Sequence, residues 1–118
     1  MFDAILNKIK ECAELPVRER FGKIGEECVL VKLTPKDFNG VLCESRLECI
    51  SVAKTYESAL ESFDRISDAL LELPSEDNDV VSIELENVYI KYDTVSGMTR
   101  LFGIFKCYTE VQDDEADM

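Results

Sequence analysis

Residues 47–73, LECISVAKTYESALESFDRISDALLEL, decide the fold. The first part reads as a strand. Leu47, Cys49, Ser51 and Ala53 alternate with Glu48, Ile50, Val52 and Lys54, so both faces are partly apolar. The period then changes from strand to helix. Tyr56, Ala59, Leu60, Phe63, Ile66, Leu70, Leu71 and Leu73 fall on one arc of about 160° in helical projection. Glu57, Ser58, Glu61, Ser62, Asp64, Arg65, Asp68 and Glu72 take the opposite arc. Thr55 stands where a hydroxyl can accept from an orphan amide of the first turn, and Pro74 closes the segment. A helix over 56–73 is ~27 Å long, enough to lie across a four-stranded sheet.

Upstream, Cys28–Leu33 is strand-like in its β-branched content. Thr34–Gly40 (TPKDFNG) reads as a loop, because Pro35 cannot donate to a ladder and Asn39-Gly40 favours a turn. The strands on either side then pair as an antiparallel hairpin, the second covering 41–53. Further back, Phe2, Ile5, Leu6, Ile9, Cys12 and Ala13 share one arc of a helix over 3–14, which Pro16 ends. Residues 16–27 read as a polar connection ordered by Phe21 and Ile24.

Downstream, residues 74–79 form an acidic turn, followed by long strands over 80–92 and 98–111. In the first of these, Val81, Ile83 and Leu85 share one parity and Val88, Ile90 and Tyr92 the other. One extra residue near Asn87, a β-bulge, keeps both sets facing the core. Asp93–Gly97 is the hairpin loop, with Gly97 free to adopt positive φ. Gly103 inside the last strand marks either a bulge or close approach by another backbone. The predicted class is α+β: an N-terminal helix, then β-β-α-β-β, with a mixed, mostly antiparallel sheet packed against the long helix. Residues 1–111 form a single domain, and 112–118 a short acidic, disordered C-terminal tail.

Composition narrows the chemistry. The 118 residues contain no histidine, which excludes Ser-His-Asp and Cys-His catalysis and His-ligated zinc. No apolar run approaches the ~20 residues of a membrane span, and no basic segment followed by an apolar block opens the chain. Net charge is −12, all of it in residues 55–118, since 1–54 balance. That charge repels phosphate, so no specific nucleic-acid partner is expected, and with no apolar span no membrane partner is expected either. It serves solubility, or it faces a basic partner or lines a negative lumen.

The odd cysteine count (Cys12, Cys28, Cys43, Cys49, Cys107) without a C-x-x-C pair points to free, buried, structural thiols. Glu76, Asp77 and Asp79 read as a solvated turn rather than a cation loop, and Glu84 and Glu86 as a solvent-facing strand edge. Tyr89, Tyr92, Phe102, Phe105 and Tyr108 have the types that stack bases, but in this acidic context they read as core or subunit interface. No phosphate loop, dinucleotide fingerprint or calcium loop occurs, so no catalytic residue, cofactor or metal site is expected. The chain reads as a non-enzyme.

Three stretches carry a family resemblance: DAILNKIKECAEL (3–15), the strand-into-helix segment 47–73, and the closing hairpin VSIELENVYIKYDTVSGMTRLFGIFKCYTEV (81–111). Together they resemble the tail terminator (tail-completion, minor capsid) proteins of tailed bacteriophages and prophages. The acidic tail and the cysteine-rich strands depart from that pattern. The resemblance implies a homo-oligomeric ring, typically a hexamer, that caps the tail tube and docks the head connector. Its partners are then the tail tube protein and the head–tail connector protein, first in the bacterial cytoplasm during assembly and then in the virion tail. On this reading Thr34, Lys36, Asp37, Phe38 and Asn39, with Asp93, Thr94, Val95, Ser96 and Gly97, are candidate protein-contact residues, because loops reach beyond the sheet. Each segment is otherwise an ordinary solvent loop. The alternative from charge and size is an acidic secretion-type chaperone, or another binding module, acting as a dimer.

Overall fold

Thr55 ends one element and starts another. Its backbone is extended, and its Oγ1 accepts the Ser58 N–H, so strand β3 (Leu42–Ala53) turns directly into helix α2 (Tyr56–Leu71). The computed structural model describes residues 3–18, 26–38, 40–75 and 79–110. The other elements are α1 (Asp3–Cys12), β1 (Val17–Arg18), β2 (Cys28–Phe38), β4 (Val80–Asp93) and β5 (Met98–Glu110). The strands form one sheet in the order β1-β2-β3-β5-β4. Every pairing is antiparallel except β1 with β2, so the sheet is mixed, and the α+β expectation holds.

Both helices cover one face. Ile5 and Ile9 of α1 and Ala59, Phe63, Ile66 and Leu70 of α2 are buried with Val29, Val31, Leu47, Cys49, Leu101, Phe105 and Cys107. Burying each large apolar side chain contributes roughly 1.5–3 kcal/mol, so this layer holds the fold together. A smaller cluster, Cys28, Leu30, Val52 and Met98 with Ile50 against it, sits on the opposite face. That accounts for the two apolar faces read in residues 47–54. At Gly103 the close neighbour is a side chain and not another backbone: a Cβ there would collide with the Phe63 ring, 2.7 Å from Cζ.

Three expectations change. The connection over 16–27 contains a short strand, because Val17 and Arg18 pair with Val29 and Leu30. Thr34–Phe38 is not loop but the end of β2, and Pro35 is accommodated where the register slips between Pro35 and Asp37. β1 reaches only Val29 and Leu30, so Pro35 lies on an edge among the described strands, where a missing N–H costs little.

The third change concerns β4. The bulge falls between Leu85 and Asn87 and keeps the apolar set on the helix-side face, with Val88, Ile90 and Tyr92 opposite Gly103, Leu101 and Thr99. Yet Val88, Ile90 and Tyr92 are exposed rather than in the core. A second slip, between Val80 and Ser82, buries Val80 and leaves Val81 outside. Position across the sheet explains the bare half. α2 starts just after Ala53, which is level with Thr99 and Tyr92, and its Phe63 rests on Gly103, the β5 residue opposite Val88, so at this level the helix lies over the inner strands and leaves the outer strand uncovered. Expectations for Phe2, Phe21, Ile24, Asn39, Glu76, Asp77 and the 112–118 tail lie outside the described residues.

Candidate contact surface

The two predicted contact segments lie at opposite ends of the sheet. Phe38 pairs with Cys43, Cys43 with Thr109 and Thr109 with Val80, which fixes one end. At the other end Asp93 pairs with Met98, and Ala53 with Thr99. The structure therefore does not bring Thr34–Phe38 together with Asp93–Gly97.

The Asp93–Gly97 turn is held by its own first residue. One carboxylate oxygen of Asp93 accepts the Val95 N–H (3.0 Å), and the other accepts the Ser96 hydroxyl (2.8 Å) and an Arg100 N–H (3.0 Å). The Gly97 N–H donates to the Asp93 carbonyl (2.8 Å), and Gly97 sits at φ 71°, the left-handed region that suits glycine. The Ser96 hydroxyl, then the Val95 amide and the Arg100 guanidinium, hold the Asp93 carboxyl below its usual range. These bonds present Val95 at the tip, 86% exposed. An apolar side chain on an ordered tip suits contact with another protein.

At the far end Thr34, Lys36, Asp37 and Phe38 are all exposed, and Phe38 is 56% accessible despite its ring. The Phe38 N–H donates to Asp37 Oδ1 (2.9 Å), and Gly40 takes φ 92° as the chain reverses.

Further candidates lie between these ends, on the edge; of them the sequence reading named Tyr92 as core or subunit interface and took the others as core. Leu85, Val88, Ile90 and Tyr92 form a helix-side apolar stripe on β4, and Tyr92 is 63% exposed. Their hydrophobicity resembles that of a core strand. No local signal marks them, because which strand the helix leaves uncovered is set by the sheet order, with β4 outermost.

On the opposite face Tyr89 stacks on Phe102 at 4.6 Å with planes 6° apart, and Lys91 Nζ lies 5.8 Å and 5.7 Å from the two rings. The Tyr108 hydroxyl donates to Glu44 Oε1 (3.0 Å), which Lys106 also approaches. Of the aromatics assigned to core or interface, Phe105 is core, Tyr92 is exposed, and Tyr89, Phe102 and Tyr108 lie on the open face.

The remaining chemistry-bearing groups form surface ion pairs and buried thiols. Arg65 bridges Glu14 (3.0 Å) and Glu61 (3.9 Å) beside a shallow cleft. Exposed pairs of this kind contribute little stability. Cys28, Cys43, Cys49 and Cys107 are buried and Cys12 is half-buried, all as free thiols. Burial pushes the Cys49 thiol up and raises Cys107 to about 12, so neither is a nucleophile at neutral pH. Among the described residues no group of His, Cys, Asp or Glu is arranged to hold a metal, and no helix is long and apolar enough to cross a membrane.

Comparison with protein-family models finds no match, and comparison with curated protein sequences finds none. Comparison with solved structures finds the fold: a chain of the "virion of native gene transfer agent (GTA) particle" superposes with a TM-score of 0.64. The two share 15% identity over 94% of this chain and 95% of that one, so this chain is similar in architecture to a component of a virion.

Proposed function

We propose that this protein is a structural component of a phage-like particle, and within it a tail-completion protein that caps the tail tube as a ring and docks the head connector. The observation that carries this reading is the end-to-end match in fold to a virion chain. Three features of the molecule support it. The ordered Val95 tip and the Phe38 end of the sheet offer protein-contact surfaces at opposite poles, as a part placed between tube and connector requires. The β4 edge carries an apolar stripe suited to subunit contact. The −12 charge lets DNA pass a ring lumen without sticking.

On this reading the protein makes and breaks no bonds. It works by shape and assembles in the cytoplasm of the bacterium that produces the particle. Deleting its coding sequence and imaging the released particles by negative-stain electron microscopy tests this. Headless tails with tubes of uncontrolled length are the expected result. Intact, normally joined particles would overturn it. A stable two-fold dimer that protects a basic partner protein from aggregation would instead favour the acidic chaperone.

A further inference from the structure

We infer that successive copies of this chain join edge to edge, the β1–β2 edge of one copy lying antiparallel against β4 of the next. The inference deepens the ring reading above by naming the subunit contact. It begins with strand direction. β2 and β5 run one way and β3 and β4 the other, and β1 runs with β2. A second copy set beside the first in the same orientation therefore meets β4 with strands of opposite sense, the arrangement that antiparallel pairing needs. Among the described strands both edges are open. β4 pairs only with β5, and β2 beyond Leu30 pairs only with β3.

The register adds chemistry to this geometry. Val17 is level with Val29, Ser51, Leu101 and Ile90 across the sheet. Continued without a shift, the half-buried Val17 of one copy thus meets the exposed Ile90 of the next, both on the helix side. Further along, Lys32 is level with Glu48, Ile104 and Asn87, and Thr34 with Arg46, Lys106 and Glu84. Lys32, one strand in from β1, then stands on the open face two strand spacings from Glu84 and the exposed Glu86, roughly 10 Å, a gap that the two long side chains can span.

Apolar meets apolar and basic meets acidic in one register. Within its own chain Glu84 faces Lys106, which also serves Glu44, so the β4 edge retains negative charge for a neighbour's lysine. Pro35 and the bulges at Pro35–Asp37 and Leu85–Asn87 interrupt the ladder, confining backbone pairing to the segments on either side. Because the two edges differ, the contact is head-to-tail, and rings close from such contacts.

Sedimentation velocity of the intact chain at about 1–100 μM, with each variant checked by circular dichroism, tests the contact. Concentration-dependent self-association is expected, and Ile90→Asp should abolish it. Lys32→Glu and Glu84→Lys should each weaken it by roughly tenfold, and together restore it to within about threefold. A chain monomeric throughout the range, association indifferent to Ile90→Asp, or a double variant no better than the singles overturns the inference. The last result would point to contact between two β4 strands. Self-association that follows these rules in a protein dispensable for particle assembly would leave the contact standing and sink the tail-completion reading alone.

Discussion

Gly103→Ala is the most direct test of how the helix sits on the sheet. The added methyl would collide with Phe63 Cε2, with Cζ 2.7 Å and Phe105 Cε1 3.2 Å away. Phe63 is 4% exposed and Phe105 fully buried, so the ring has no solvent to swing into. Overpacking of this kind costs about 1–3 kcal/mol. Replacing glycine also lowers the entropy of the unfolded chain, which returns about 0.4–1 kcal/mol. The steric term is larger, and a net loss of about 1–2 kcal/mol follows.

For a domain of this size each kcal/mol shifts Tm by about 4 °C, so thermal unfolding followed by circular dichroism should show a drop of about 4–8 °C. Phe63→Leu shortens the side chain facing Gly103 at a cost of its own. In a double-mutant cycle the Gly103→Ala penalty should therefore shrink in the Phe63→Leu background. A Gly103→Ala protein as stable as the parent, or a cycle with no coupling, would show that Phe63 does not rest on this glycine.

Thr55→Ala removes the acceptor for the Ser58 N–H and should cost about 1 kcal/mol in urea unfolding, with an unchanged m-value. Asp93 is held below its unfolded pKa, so the stability it contributes is complete above that value, about 3.9, and is lost as pH falls through the lower native value. Stability of the parent should therefore decline more steeply on acidification below about pH 4 than that of Asp93→Asn, read from urea midpoints across pH. The thiols of Cys28, Cys43, Cys49 and Cys107 should resist Ellman's reagent in the native state and Cys12 should react slowly, with all five reacting in denaturant. Immediate reaction of four or more thiols in native buffer would contradict the packing described above.

Much of the fold was legible because its signals are local. The change of period at Thr55, the proline after Leu73 and the parity slip near Asn87 each state a backbone preference within a few residues, and the helix, its cap and the bulge all stand where those signals put them. The Thr34–Phe38 segment was misread for the converse reason. Pro35 forbids an interior strand but not an edge, and which strand lies at the edge depends on partners far along the chain. The candidate contact residues were reached as loops. The two segments prove to be opposite poles of one sheet, a relation that no local pattern encodes.

From the sequence alone come the α+β class, the free thiols, the acidic character and the absence of histidine chemistry, because composition and periodicity are properties of the chain itself. Only the tertiary structure decides which apolar residues are core. Val88, Ile90 and Tyr92 satisfy the same pattern as Ile83, yet Ile83 is buried and they are not. The reason is geometric: hydrophobicity orients a residue toward a face, and where α2 lies across that face, over Gly103 of β5 rather than over Val88 beside it, determines whether water is excluded there.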